Sequence, residues 1–315
     1  MICGVDVCSQ TLDVRIGRDG TSASFSNDGE GIQDLAEFSR KHAVTLVVME
    51  ASGGYEQLPF AVLCSMGIAV AVVNARSVRR FAQAMGIFEK TDGIDAGVIA
   101  WYGETKEVVA MAPLSADQQR LKAMVTRLRQ LTELRASQRN QRLLVREAGV
   151  QGLFQQLLQV VNEQIGKLET EIAGLIGSDP LWQELEKSFR SIKGVADRTV
   201  ARLLAELPEI GLLSNKRISK LVGLAPLADD SGKCKGKRRI FGGRRSVRDI
   251  LYFIAGGVAR HNADFSAFQA RLLQAGKAKR VVRIALAHKL LIRLNAKARE
   301  VRQLRHLAST VCVFS

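Results

Sequence analysis

The hydrophobic period of this chain changes twice along its length, and those changes limit the fold more than composition does. Residues 2–7, 12–16 and 21–25 are strand-sized apolar runs, suited to a three-stranded meander. The period turns helical at Ile32, Leu35, Ala36 and Phe38 and returns to a buried strand over residues 45–49. Leu58, Phe60, Ala61, Leu63 and Cys64 read as a helix closed by Gly67, followed by a strand over 68–73 and helices over 77–85 and 92–102. The order β-β-β-α-β-α-β-α predicts a mixed sheet covered by helices.

Past residue 115 the strand pattern disappears. Leu121, Met124, Leu128 and Leu131 step by 3, 4 and 3, and Leu158, Val161, Ile165, Leu168, Ile172 and Leu175 keep the same a/d rhythm. A coiled-coil helical hairpin is expected, with Gly149 and Gly152 at its turn. Because a/d seams want a partner helix, the hairpin is also expected to dimerise; packing on a neighbouring domain is the other way to cover the stripes. Residues 191–315 read as mainly helical, interrupted by a basic loop over 229–246. The expected domains are therefore 1–112, 113–188 and 189–315.

Composition excludes several classes. The 315 residues are 47% hydrophobic and 24% charged, which matches a globular chain rather than a disordered or collagenous one. No run approaches the roughly 20 apolar residues of a transmembrane helix. With a strand beginning at Ile2 and no leader-like segment ahead of it, a cytoplasmic, nucleoid-associated protein is expected. Cysteines at 3, 8, 64, 234 and 312 lack C-x-x-C spacing, so buried or incidental thiols are expected.

The net charge of +15 is unevenly placed. Residues 1–110 hold 9 Lys and Arg against 14 Asp and Glu, whereas residues 191–315 hold 26 against 8. A basic module joined to an acidic one suggests a polyanion held by one part and processed by another. A basic surface kept only for solubility is the other reading, and the concentration of the charge speaks against it.

Four carboxylates could do the processing. Asp6 lies inside the first apolar strand, where an uncompensated ion costs several kcal/mol. Glu50 follows the strand over 45–49. Asp92 and Asp95 are spaced to share one side of a helix start, where the helix dipole favours negative charge. Taken singly, Asp92 reads equally as an N-cap and Glu50 as a surface residue. Together the four suit a site for two Mg²⁺ ions about 4 Å apart at a phosphodiester.

Two further segments point to nucleic acid. Ser191 to Ala201, containing Lys193 and Gly194, has the outline of a helix-hairpin-helix, whose turn offers backbone N–H groups to a phosphate. Ala196 stands where that motif usually has a second glycine, which makes a positive φ there costly. The loop 229–246 carries Lys233, Lys235, Lys237, Arg238, Arg239, Arg244 and Arg245, with Arg248 just beyond. Such a loop is expected to order only on a phosphate backbone. Its Ser231 precedes a glycine among cations, as a nucleophile approaching phosphorus would, although serines in basic loops are more often plain loop residues.

Asp6, the run Val48 to Tyr55, Val72-Val73-Asn74, Phe81-Ala82, Lys90-Thr91-Asp92, Asp95-Ala96, Leu221 to Pro226, Ser231-Gly232, Gly242-Gly243-Arg244 and Arg248 together resemble the DEDD transposases of the insertion-sequence one-ten family and the Piv-type DNA invertases. The resemblance covers nearly the whole chain. It implies a RuvC-like domain of the RNase H fold, a coiled-coil insertion and a helical C-terminal domain. It implies Asp6, Glu50, Asp92 and Asp95 as ligands of Mg²⁺, with Mn²⁺ able to substitute, and Ser231 as a nucleophile that becomes linked to DNA. It further implies donor and target DNA, a structured guide RNA, and dimers that assemble to a tetramer, acids of one subunit acting with the serine of another. Two departures stand out. Val7-Cys8-Ser9-Gln10 follows Asp6 where relatives have a lysine, and Ala75 follows Asn74 where they have proline.

The function expected from all this is DNA strand cutting and rejoining. A RuvC-like endonuclease using water in place of Ser231 is the enzymatic alternative, and a non-catalytic nucleic-acid scaffold the other. An actin-like ATPase shares the acid in its first strand but would need a later Gly-rich phosphate loop that this chain lacks.

Overall fold

The computed structural model describes every residue except 90, 91, 229, 232, 233, 237 and 312–315, and gives backbone alone at 92–94, 234, 235 and 308–311. The chain divides into two compact units, Met1–Leu114 and Ser115–Ser315.

The first unit is the mixed sheet that the apolar runs anticipate. Strands β1 (Ile2–Val7), β2 (Thr11–Ile16) and β3 (Ser22–Ser26) form an antiparallel meander, and β4 (Leu46–Glu50) and β5 (Val70–Val73) add in parallel on the far side of β1. The sheet order is β3-β2-β1-β4-β5. Helices α1 (Gly29–Lys41) and α2 (Gln57–Ser65) cover one face, over Cys3, Val5, Val7, Val47 and Met49. Helices α3 (Ala75–Ala84) and α4 (Asp92–Thr105) cover the other, over Leu46, Val48, Ala71 and Val73. Asp28 caps α1 by accepting from the Gly31 N–H at 2.9 Å, and such backbone hydrogen bonds hold its carboxyl below the usual range. Burial pushes the Cys3 thiol up to about 12, so it stays protonated and unreactive.

The second unit is helical: α5 (Ala116–Arg142), α6 (Ala148–Ser178), α7 (Pro180–Arg190), α8 (Asp197–Glu206), α9 (Asn215–Val222), α10 (Arg245–His261), α11 (Ala263–Gln274) and α12 (Lys279–Val311). Between α9 and α10 two short strands, β6 (Asp230–Ser231) and β7 (Cys234–Lys235), pair antiparallel. The α5 and α6 stripes do pack together, but they join one core with Leu185, Phe189, Leu251, Phe265 and Leu290 of the later helices. Leu121, Leu128, Leu158, Val161 and Ile165 are thus covered within the chain, and the seam that argued for a dimer is already occupied. The apolar residues left open on the hairpin are others: Leu143, Leu144, Leu153, Leu157 and Val160. The turn also differs from expectation. It spans residues 143–147, while Gly149 lies in the first turn of α6, where Glu147 caps the Gly149 and Val150 N–H groups at 3.0 and 2.6 Å. Among the described residues no helix is long and apolar enough to cross a membrane.

Candidate active site

The acids meet because two parallel strands end together. Asp6 is the penultimate residue of β1 and Glu50 the last of β4, and the register pairs Val5 with Met49, so both acids leave the sheet at one edge. Alternation along a strand puts Gly4 and Asp6 on the face opposite Cys3, Val5 and Val7, the face of Val48 and Glu50 beneath α3 and α4. Helix α4 lies directly on β1: a Cβ at Gly4 would sit 2.1 Å from the Ala96 carbonyl oxygen and 2.5 Å from the Ala100 nitrogen. The missing side chain at position 4 is what lets Asp95, one residue before Ala96, come down to the sheet edge.

Asp6, Glu50 and Asp95 line one cavity of about 320 Å³. Asp92 opens α4, and its side chain lies outside the described residues. The three carboxylates supply the oxygen donors that a hard divalent cation takes, so the donor set fits Mg²⁺. Among the described residues no group of three or more His, Cys, Asp and Glu is gathered closely enough to hold a metal ion.

Two cations share the cavity, Arg76 and Arg79. Asn74 caps α3 by accepting from the Arg76 N–H at 2.9 Å, which aims the first turn at the sheet edge. Ala75 occupies N1, a position whose N–H has no helical partner, so the proline of relatives is replaceable there. The Arg79 guanidinium donates to the carbonyl oxygens of Phe88 at 3.0 Å and Glu89 at 3.4 Å, tying the approach to α4 back onto α3. Sequence reasoning missed both arginines. Their only signal is i,i+3 spacing on the helix after β5, which became meaningful once that helix was seen to border the acids.

In the second unit Ser231 sits exposed on β6, paired in register with Cys234 of β7. Within the basic loop, Leu227 and Arg239 exchange backbone hydrogen bonds of 2.9 and 3.1 Å, and Asp230 accepts from the Gly236 N–H at 3.0 Å. Lys233 and Lys237 lie outside the described residues, as does the Lys235 side chain. Arg238, Arg239 and Arg245 are exposed. Arg244 instead forms a two-pronged pair with Glu209, both bonds 2.6 Å, and donates to the Glu206 carbonyl at 2.9 Å. Arg248 donates to the carbonyls of Val222 and Gly242. Both of these arginines are committed to holding the loop against the helices.

The segment around Lys193 and Gly194 is a turn over residues 191–196 between α7 and α8. Gly194, at φ +99°, takes the strained position, and a Cβ there would come within 3.0 Å of the Val258 backbone. Ala196 is extended, at φ −104° and ψ 167°, so the alanine costs nothing where a second glycine was expected. Lys193 is exposed beside this turn.

The first unit carries a carboxylate cavity on a mixed sheet and the second an exposed serine in a basic loop, and comparison with known proteins is specific about the family. Residues 3–145 match the DEDD-type IS110 transposase model, described as a transposase, and residues 186–270 match the transposase model of the IS116/IS110/IS902 family. The chain belongs to the IS110 family of transposases. It is 26% identical over 303 residues to the pilin gene-inverting protein of Moraxella bovis, covering 91% of this chain and 92% of that one. The pilin gene-inverting protein of Moraxella lacunata shows the same identity and coverage. Among solved structures, that of Thermus thermophilus RuvC is 12% identical and covers 35% of this chain and 99% of its own, at a TM-score of 0.25, too slight a likeness to argue from.

Proposed function

We propose that this protein is a metal-dependent DNA recombinase that cuts strands through Ser231 and rejoins them, with a first unit of the RuvC-like RNase H fold. The sheet order β3-β2-β1-β4-β5, in which β2 alone runs against the other strands, supports that fold. The observation that carries the function is the meeting of Asp6, Glu50 and Asp95 in one cavity, next to the start of α4 where Asp92 stands.

Asp6, Glu50, Asp92 and Asp95 would hold two Mg²⁺ ions, or Mn²⁺ in their place, which when bound supply Lewis-acid stabilisation of the attacking and leaving oxygens. Arg76 would pair with a non-bridging phosphate oxygen, taking over the contact that the lysine of relatives suggests. The Ser231 Oγ attacks phosphorus. Its new bond replaces the one to the departing strand's oxygen, which leaves with the hydroxyl proton, and attack by another strand's hydroxyl reverses the exchange. Donor and target DNA are the substrates. Arg238, Arg239, Arg245 and Lys193 contact phosphates, and Lys233, Lys235 and Lys237 belong to the same loop.

Pairing with a structured guide RNA would supply the sequence specificity, a reading that rests on the family. A second copy seated on Leu153, Leu157 and Val160 would give the dimer, and two dimers the tetramer in which acids of one subunit act with the serine of another. Apolar area left open on a long hairpin supports the dimer.

The test is a supercoiled plasmid carrying the gene's native flanks, incubated with Mg²⁺ and RNA transcribed from them. Wild type should leave protein covalently attached to a DNA end on a denaturing gel, and Asp92→Ala and Ser231→Ala should both abolish that adduct. Cleavage without an adduct, surviving Ser231→Ala, would make the protein a hydrolytic nuclease.

A further inference from the structure

Helix α4 borders two cavities. Asp95 and Val98 line the carboxylate cavity, while Gly97, Val98 and Trp101 line a second, open cavity of about 420 Å³, bordered also by Arg15, Arg18, Asp19 and the segment Gly86 to Glu89. Nothing in the proposed chemistry uses this second cavity, yet its lining is unusual for a plain surface dent. Phe81 meets Trp101 edge-on at 5.0 Å, and the Arg18 guanidinium lies over the same indole at 4.1 Å. The indole thus carries an aromatic edge contact from Phe81 and a cation over its ring from Arg18. Phe88, which also lines this cavity, is 72% exposed, so its ring is open to an incoming planar group.

We propose that the second cavity receives one unpaired DNA nucleotide next to the scissile phosphate. Base faces stack on aromatic rings and on guanidinium planes, and only an unpaired base offers such a face. Phe88 and Arg18 provide the two planes, and Arg15 provides a second positive charge for the backbone. Asp19, which lines the same cavity, pairs with Arg18 at 3.7 Å, and the pair is solvated.

The location fits the site already described. Trp101 lies six residues beyond Asp95, about 9 Å along the helix, within reach of a neighbouring nucleotide. Arg79 lines the carboxylate cavity and donates to the Phe88 carbonyl, so the wall of the second cavity is tied to the first.

This inference rests on the strand-transfer reading, and it is tested without cleavage so that the two can fail separately. Trp101 and Trp182 are the two tryptophans of the chain, so the full-length Trp182→Phe protein reports from the cavity alone. Titration without divalent metal with single-stranded oligothymidylate of about 12 nucleotides should quench Trp101 fluorescence. The same sequence as a duplex should not. Phe88→Ala should weaken binding roughly tenfold, and Phe88→Tyr should restore it. Equal quenching by duplex, tighter binding of the RNA form, or a Phe88→Ala affinity equal to that of the parent would each overturn the proposal. A protein that shows the Phe88-dependent quench but forms no covalent adduct would sink the strand-transfer reading and leave the nucleotide site standing.

Discussion

The two units of this molecule use charge in opposite ways. The sheet unit has a net negative sequence, and its topology concentrates three of the acids at the edge where β1 and β4 end. The helical unit is strongly positive, yet much of its charge is spent internally. Arg283 donates to the Tyr252 and Phe253 carbonyls, Arg299 to that of Leu213, and Arg302 to those of Ile210 and Pro208. Arg244 and Arg248 are committed in the same manner. Burial lowers the pKa of the Arg302 guanidinium below its ordinary value. A basic count therefore overstates the charge offered to a polyanion, because a guanidinium is also the longest hydrogen-bond donor available for packing helices. In the sheet unit the functional candidates are the acids that line one cavity at the strand ends.

That contrast makes ordered predictions. The largest effect belongs to the acids: Glu50→Gln keeps the shape of the cavity and should lower covalent adduct formation by roughly 10²- to 10³-fold, the scale of several kcal/mol of lost charge stabilisation. Circular dichroism should be unchanged, and an active Glu50→Gln protein would break the claim that the sheet edge is the chemical centre. Next is Gly4→Ala. Its Cβ cannot coexist with the Ala96 carbonyl, so α4 must move, at a cost of about 3 kcal/mol in denaturant unfolding and with loss of the adduct.

The arginines give a smaller and sharper pair. Arg244→Ala should cost about 1–2 kcal/mol of stability, since it strands the half-buried Glu209. Arg245→Ala, on a side chain 84% exposed, should leave the melting temperature alone and reduce the salt dependence of DNA binding by about one counterion. Identical outcomes for the two would erase the distinction between packing and binding cations.

The smallest effect concerns His288, whose Nε2 lies 2.9 Å from the Ser219 Oγ and whose pKa is lowered by burial. The folded state then binds fewer protons than the unfolded one. The stability this group contributes is complete above its ordinary value of 6.5 and is lost as the pH falls below it toward the depressed folded value. Melting temperatures of wild type and His288→Gln should diverge in that window and run parallel above it.

How legible was this in the chain? Strands with a clear period, such as β1 and β4, were readable to within a residue or two, and so were Asp6 and Glu50 at their ends. The α5 and α6 stripes were equally plain, but a stripe specifies that something apolar covers it and says nothing of whether the cover comes from another chain. Here it comes from helices such as α7 and α8. The hairpin turn was misplaced onto Gly149 because glycine is a weak signal beside a capping carboxylate like Glu147. Arg76 and Arg79 had no legible role, since their importance depends on which sheet edge α3 overhangs.

By itself, then, the order of residues determined the alternation of strands and helices, the uneven charge and the positions of the acids, because periodicity and local chemistry act over a few residues. Which cations remain available, which apolar stripe is already covered, and which arginines border the carboxylates were decided only when distant segments packed. Those properties depend on partners far apart in sequence, 35 positions for Arg244 with Glu209 and 94 for Arg302 with Pro208, and no local rule carries information over such a separation.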